Sequence, residues 1–318
     1  MGHDPHPSTI DVTPYLRDLV ARPMAIAPEW ITPRMARLHA GETVFEAAIQ
    51  RPEQVRPQGG AAVLPLVGPI QHREDFWSAI GFATSTETFA RTLRTALADD
   101  AVKSIVIDVD SPGGDVDGVD ELASLIHGAR GTKPIIAVAN AWMASAAYYL
   151  GSQADELVVT PTGMVGSIGV IIVHADWSRA YDLAGITTTI IRTPARKAET
   201  NPFEPLSADA QEHLQAQVDT YYGMFVDAVA RGRKVSAQKV RADFGGGRMV
   251  MAAEAVRLGM ADRIATLDDV LGRGTAGTSQ VRGARVEDEP LITTEEPSAH
   301  QHVQAPSTEA LYALVRTR

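Results

Sequence analysis

Short apolar runs along the chain alternate with segments in which apolar residues recur every three or four positions. The runs are typical of buried strands, and the helical spacing is typical of helices that bury one face. The predicted strands are 61–70, 104–109, 135–139, 156–160 and 186–192. The predicted helices are 86–99, 116–129, a short helix starting near Ser145, 176–184, 208–232, 236–243 and 252–259. Strand-turn-helix units repeated in this order predict an α/β domain with right-handed crossovers.

The composition changes twice along the chain, which predicts three parts. Residues 1–58 are predicted to form an N-terminal arm, in which the prolines at 23, 28 and 33 interrupt any long helix. Residues 59–272 are predicted to form the main domain. Residues 273–318 are rich in Gly, Thr, Glu and Pro, a composition typical of a flexible tail.

Length and charge narrow the class of protein. With 318 residues, of which 45% are hydrophobic, the chain can bury a large core in one main domain. The formal net charge of −10 argues against nucleic-acid binding, because binding phosphates needs a basic surface. No apolar run approaches the ~20 residues that cross a bilayer, and the N-terminus lacks a signal-peptide pattern. We therefore expect a soluble, cytoplasmic protein with no membrane partner.

The polar residues limit the chemistry further. The absence of cysteine excludes disulfides, zinc-thiolate sites and a cysteine nucleophile. The acidic residues at 115, 117, 120 and 121 have no ligand partners at metal spacing and indicate a solvated helix start. We expect neither a metal site nor a cofactor.

Serine is the obvious remaining nucleophile, and Ser145 is the best placed. A sharp turn from strand to helix would lift its hydroxyl clear of the sheet, and the free N–H groups of the first helical turn could stabilise an oxyanion. By itself, a serine in an alanine-rich helix is more often a packing or capping residue. Gly113 and Gly114 form a turn that can aim backbone N–H groups at a carbonyl oxygen. Lys197, which follows the predicted strand 186–192, could act as a base if it were desolvated.

Three motifs carry a family resemblance. They are Asp-Ser-Pro-Gly-Gly at 110–114, Ala-Ser-Ala-Ala-Tyr-Tyr at 144–149 and Thr-Gly-Met-Val-Gly-Ser-Ile-Gly-Val at 162–170. Together they resemble peptidase family S49, the signal peptide peptidase A group, and the similarity extends over about residues 60–272, ending in Gly-Arg-Met-Val-Met-Ala-Ala-Glu-Ala-Val-Arg-Leu-Gly-Met-Ala-Asp at 247–262. The resemblance implies a ClpP/crotonase-like spiral of ββα units with flanking helices.

The resemblance also implies roles for individual residues. Ser145 is the expected nucleophile, Lys197 the general base and Ser167 the residue that orients the lysine. The expected oxyanion donors are the backbone N–H groups of Gly113 or Gly114 and of Ala146. Alanines at 146 and 147 replace two glycines of the family motif, so we expect small side chains next to the scissile bond. We also expect Lys197 to be desolvated in the assembled site, because burial favours a neutral amine.

A histidine-based triad is the alternative arrangement. His127 and His174 lie within the main domain, and aspartates at 108, 110, 115, 117 and 176 could orient one of them. His174 is the better placed of the two. The lysine is preferred, because Ser167 and Lys197 both fall where the resemblance requires them.

The function that follows is a Ser-Lys serine endopeptidase resembling phage or prophage capsid assembly proteases. Its expected partners are protein substrates, namely scaffold, portal or capsid proteins or its own chain, cleaved in the host cytoplasm or the assembling head. We also expect a ring-like homo-oligomer. The alternatives are a soluble signal-peptide-peptidase-like protease, a crotonase-fold acyl-CoA enzyme, and a structural assembly protein with an inactive site.

Overall fold

The computed structural model describes residues 9–20, 22–47 and 60–272. The predicted tail at 273–318 and the predicted arm boundary near 58 lie outside these ranges and stay predictions. The strands are β1 Thr9–Asp11, β2 Met24–Ile26, β3 Phe45–Ala47, β4 Ala61–Val67, β5 Ile70–Gln71, β6 Thr84–Ser85, β7 Ser104–Ser111, β8 Gly113–Asp115, β9 Ile135–Ala144, β10 Glu156–Val159, β11 Met164–Gly166, β12 Met249–Met251 and β13 Arg263–Ile264. The α-helices are α1 Thr13–Leu19, α2 Pro28–His39, α3 Phe76–Ala79, α4 Thr86–Ala98, α5 Val119–Gly128, α6 Ala146–Gly151, α7 Ser178–Leu183, α8 Ala208–Arg233, α9 Ala237–Asp243, α10 Ala252–Leu258 and α11 Leu267–Val270.

Strand β9 is the centre of the main sheet. It pairs with β7 along one edge, and with β10 and then β11 along the other. β4 pairs with the outer edge of β7, and β13 with the outer edge of β10. These pairs are all parallel, and the remaining pair of this sheet, β11 with β12, is antiparallel. Because β9 is covered on both faces, Ile135, Ala137 and Val138 are fully buried, as an apolar run in a parallel sheet predicts.

Helices α4, α5 and α6 follow the strands of this sheet in chain order and pack against it in the main core. Helix α4 begins where predicted, because the Ser85 hydroxyl accepts the Thr88 N–H at 3.2 Å. Phe89 and Leu93 form its buried face. The predicted α/β class is confirmed, and the parallel strands with intervening helices agree with the ClpP/crotonase-like arrangement.

A second sheet has the order β2, β8, β5 and β6. Its strand β2 comes from the predicted N-terminal arm and pairs antiparallel with β8, which immediately follows Pro112. Helix α2 also belongs to the arm, and Pro33 lies inside it. The expectation that Pro33 interrupts the helix is therefore wrong. Pro33 has no backbone N–H to donate within the helix. Burial of Ile31 in the small apolar cluster that includes Tyr15 and Phe82 stabilises the helix despite this missing hydrogen bond.

The prediction of a strand at 186–192 is also wrong, since these residues form neither strand nor helix. Ile186 is 49% exposed and Ile191 is 96% exposed, so the apolar side chains that suggested a buried strand face solvent. A strand needs a neighbouring strand to satisfy its backbone groups. Within the described part of the chain, no strand pairs with this segment.

The C-terminal end of the domain is joined to the main sheet through Asp262. Its carboxylate accepts the Leu157 N–H at 2.7 Å and two N–H bonds from Arg233, at 2.6 and 2.9 Å. Burial alone would raise the pKa of Asp262, but the bonds from Arg233 and Leu157 outweigh it and hold this pKa below its usual value. Asp262 therefore stabilises the fold as a carboxylate, above the unfolded-state pKa near 3.9, and loses this effect as pH falls through the folded-state value.

We expect Asp262→Asn to lower the free energy of unfolding at pH 7 by about 1–2 kcal/mol, a figure reduced for the partial exposure of the carboxylate. The loss should shrink as pH falls below about 4, because the carboxyl of the unfolded chain then takes up a proton and the stabilisation by the folded-state carboxylate diminishes. Urea unfolding followed by circular dichroism at pH 7 and pH 3.5 measures both values. Glu254→Gln is the matched control, since it removes an exposed ion pair with Arg257 and should change the urea midpoint very little. Equal losses for the two variants at pH 7 would contradict the role of Asp262.

Candidate active site

Ser145 occupies a sharp turn between strand β9 and helix α6. Its backbone has φ 52° and ψ −119°, a conformation that non-glycine residues rarely adopt. The turn is held on both sides: the Ser145 N–H donates to the Gly166 carbonyl at 2.7 Å, and its C=O accepts the Tyr149 N–H at 2.9 Å. The adjacent side chains, Ala144 and Ala146, are fully buried and small. The predicted strand-turn-helix at this serine is confirmed.

Helix α6 is fixed by its two tyrosines. The Tyr148 hydroxyl donates to the Met260 carbonyl at 2.9 Å, and the Tyr149 hydroxyl donates to Asp120 at 2.7 Å. Burial raises the pKa of both phenols, and the bond to Asp120 raises that of Tyr149 further. Both groups therefore stay protonated and act as donors that hold the helix.

The glycine turn lies against Ser145. Gly113 has φ 91°, and a Cβ at this position would lie 2.9 Å from the Cβ of Ser145 and 3.0 Å from the Ala144 carbonyl oxygen. Only a glycine permits this approach and this conformation. Gly114 is equally constrained, because its Cβ would lie 2.0 Å from the Ile70 carbonyl oxygen in the neighbouring strand β5. The N–H of Gly113 donates to the Ser111 hydroxyl at 3.2 Å.

Ser167 lies on the other side of Ser145. It directly follows Gly166, whose carbonyl accepts the Ser145 N–H, and it is 4% exposed. Its own backbone is in the left-handed region, with φ 53°, and its N–H donates to the Arg248 carbonyl at 2.9 Å. The fold thus gathers Ser145, Ser167, both glycines of the 113–114 turn and the first N–H of α6 in one place.

Lys197 is the predicted site residue that this structure does not bring to Ser145. It lies in a 3₁₀ turn, Ala195–Ala198, and its side chain is exposed. Among the hydrogen bonds of the described residues, none joins it to Ser145 or Ser167. The Ser145 hydroxyl instead lies 3.4 Å from the Gly169 carbonyl oxygen.

Neither histidine of the alternative triad contacts the serine. The Nε2 of His174 lies 3.1 Å from the Asn201 carbonyl oxygen, a backbone partner rather than a hydroxyl. His127 lies in the last turn of α5, where burial and the nearby Arg130 and Arg231 lower its pKa. Two of the proposed orienting acids also lack a histidine partner, since Asp108 bonds to Asn140 and Asp110 accepts the Trp142 N–H. Burial raises the pKa of both carboxyls.

Sequence reasoning missed strand β2, which lies over the site. Ala25 pairs with Gly114, and a Cβ on Gly113 would lie only 2.2 Å from the Ala25 carbonyl oxygen. A signal was present, because Met-Ala-Ile-Ala at 24–27 is an apolar run bounded by prolines on both sides, the pattern of a short strand. Its length of four residues and its position in a proline-rich segment concealed it.

The described residues contain no group of three or more histidines, aspartates or glutamates placed to hold a metal ion. Among the same residues, no helix is long and apolar enough to cross a membrane.

Comparison with known proteins identifies the family. The model of peptidase family S49 matches residues 128–280, which include Ser145, Ser167 and Lys197. Head-tail preconnector protein GP5 of Enterobacteria phage P21 is 31% identical over 81% of this chain and 51% of its own length. Capsid assembly protease C of Escherichia phage lambda is 31% identical over 79% of this chain and 58% of its own length. Protease 4 of Haemophilus influenzae is 26% identical over 64% of this chain and 33% of its own length.

The chain thus spans about half the length of the two phage relatives. Its serine turn and its glycine turn agree with this match, and residues 128–280 carry the domain of peptidase family S49.

Proposed function

We propose that this chain is a serine endopeptidase that uses Ser145 as its nucleophile and Lys197 as its general base. The observation that carries the proposal is the strained turn at Ser145, which places a serine between the first N–H groups of α6 and the glycine turn. Backbone strain at a polar residue points to function when the surroundings hold it in place. The protease names of several relatives support the same reaction class.

The reaction follows from these groups. The Ser145 hydroxyl attacks the carbonyl carbon of a peptide bond while neutral Lys197 accepts its proton. The N–H groups of Gly113 or Gly114 and of Ala146 stabilise the oxyanion, and one such donor typically contributes ~3–4 kcal/mol to lowering the barrier. The lysine returns the proton to the leaving amine, and water then hydrolyses the acyl-enzyme. Ser167, next to the Ser145 turn, orients the amine.

Lys197 must come closer to Ser145 for this chemistry, because its side chain is exposed and no hydrogen bond among the described residues joins it to the serine. Its segment carries large apolar side chains that face solvent, among them Leu183 at 53% exposed, Ile186 and Ile191. We propose that a second copy of the chain covers this face in a homo-oligomer. Burial of apolar area would drive the association and would desolvate the amine.

The substrates we propose are proteins of a phage or prophage head, namely scaffold, portal or capsid proteins, or the chain itself. The two phage relatives support this class, because their names refer to head-tail connection and capsid assembly. The site of action would be the host cytoplasm or the assembling head.

We expect Ser145→Ala and Lys197→Ala each to reduce cleavage of casein at least a thousandfold, because each removes one half of the reacting pair. Arg196→Ala is the matched control, since it alters the same 3₁₀ turn and loses only an exposed ion pair with Asp209. His174→Ala should keep at least a third of the wild-type rate. Initial rates with fluorescent casein measure all four variants. Full activity of Lys197→Ala, together with loss of activity in His174→Ala, would show that His174 and not Lys197 is the general base.

If a second copy covers the Lys197 segment, the lysine of one copy can lie beside the serine of its neighbour, and this arrangement has its own test. Ser145→Ala and Lys197→Ala chains, co-expressed with different affinity tags and purified through both, should regain measurable casein cleavage if the lysine of one copy serves the serine of another. Each variant expressed alone with both tags is the control and should stay inactive. If mixed oligomers stay inactive, the Ser145 and Lys197 that react together belong to the same chain.

We expect Gly113→Ala to lower kcat/KM at least a hundredfold, because a Cβ cannot fit beside Ser145 and the backbone cannot keep φ 91°. Gly128→Ala is the matched control: its Cβ would meet no atom within 4 Å, at the end of helix α5. Kinetics with the casein substrate, together with thermal melting to confirm folding, measure the effect. Unchanged kcat/KM for Gly113→Ala would remove this glycine from the oxyanion site.

A further inference from the structure

Strand β2 lies in a groove between strand β8 and the segment that contains Ile171. It runs antiparallel to both sides. Met24 exchanges two backbone bonds with Ile171, at 2.8 and 2.9 Å, and the Ala27 N–H donates to the Pro112 carbonyl at 2.7 Å. An extended chain bonded on both edges has the geometry in which a protease holds a peptide.

The backbone N–H and C=O groups of successive residues in β2 face opposite sides, and those of Ala25 face the reactive centre. Because both backbone groups of Met24 face Ile171, those of Ala25 face the opposite side, towards β8. The Ala25 carbonyl oxygen lies 2.2 Å from the position of a Cβ on Gly113, and the Cβ of Ser145 lies 2.9 Å from the same position. The carbonyl of Ala25 is therefore a close neighbour of the nucleophile.

The side chains of the strand divide between two environments. Met24 and Ile26 pack in the small apolar cluster that includes Ile171, whereas Ala25 packs in the main core. Beside Ala25 is a cavity of about 170 Å³. Its lining is largely apolar and includes Val119, Tyr149 and Phe225, together with the acidic residues Asp117, Asp120 and Glu121. The methyl group of Ala25 leaves most of this space open.

We propose that β2 occupies the position of a substrate and that the cavity beside Ala25 is the pocket for the residue next to the scissile bond. This inference rests on the proposed function and names its substrate class. The substrate is an extended polypeptide with a small or medium apolar side chain in the pocket and larger apolar side chains at the two neighbouring positions.

Burial of the nucleophile supports this assignment. Ser145 is 0% exposed, and Met24, Ala25, Ile26 and Ala27 are each at most 3% exposed. A substrate chain cannot reach the serine while β2 is in place. β2 must therefore leave the groove before cleavage, and it acts as an intramolecular competitor.

A disulfide that locks β2 tests the proposal, and the absence of natural cysteines makes the introduced pair unambiguous. Met24→Cys with Ile171→Cys joins two directly opposed residues, whose Cα separation of about 5.5 Å suits a disulfide. We expect the oxidised double variant to cleave casein at less than a tenth of the rate of the reduced form. The two single variants are the controls and should respond to reductant no more than wild type does. Equal rates for the oxidised and reduced double variant would overturn the proposal.

A binding measurement separates this proposal from the proposed function. A fluorescent peptide with the sequence of residues 22–29 should bind the reduced double variant carrying Ser145→Ala at least tenfold more tightly than the oxidised form, by anisotropy. A peptide with aspartate in place of the alanine at 25 is the control and should bind the reduced form at least tenfold more weakly, because the pocket lining already carries three acidic residues. Peptide binding that follows the redox state, combined with no casein cleavage by the reduced double variant with Ser145 intact, would refute the protease and keep the groove assignment. Equal casein cleavage by the oxidised and reduced double variant would refute the groove assignment and leave the protease proposal intact.

If the disulfide does not form, Ala25→Pro is the second variant. Proline removes the N–H that faces β8 and weakens the pairing of β2. The affinity for the labelled peptide should then rise at least fivefold over the Ser145→Ala parent. An unchanged affinity would overturn the proposal.

Discussion

The arrangement of the site depends on one strained turn, the backbone of Ser145. A non-glycine residue with positive φ costs of order 1–3 kcal/mol, and it persists only where the surroundings over-determine it. Here strand β9 enters the turn from the middle of the main sheet, held by β7 on one edge and by β10 and β11 on the other. The first five residues of the helix that leaves it are buried and bonded through two tyrosine hydroxyls. Relaxation of the turn would therefore require the sheet and the helix to separate.

The same packing explains why the neighbours of Ser145 are so small. Gly113 and Gly114 each lie in contact with backbone on the side where a Cβ would point. The nucleophile turn, the glycine turn and strand β5 are thus three backbone segments packed without intervening side chains. Such contact fixes the positions of the N–H groups more firmly than side-chain packing could, which is what an oxyanion site needs.

Much of this could be predicted from the sequence, because it depends on local patterns. The apolar run before Ser145 and the alanines after it predict a strand, a turn and a helix, and the Ser85 cap predicts the start of α4. What could not be predicted depends on distant partners. The run at 186–192 is apolar enough for a strand but has no neighbour to pair with, and β2 is a strand only because β8 and Ile171 lie on either side of it. Pro33 is tolerated in α2 for the same reason, since tertiary burial of Ile31 outweighs a local preference.

A strand that is part of the chain competes differently from a free molecule. Its tether gives it an effective concentration at the groove, on the order of millimolar for a short flexible connection, whatever the amount of protein present. A dilute peptide of equal affinity would lose to it, whereas polypeptides packed densely around the enzyme would reach comparable local concentrations. With β2 in the groove as proposed, cleavage would be faster where substrate chains reach millimolar local concentrations than where they are dilute.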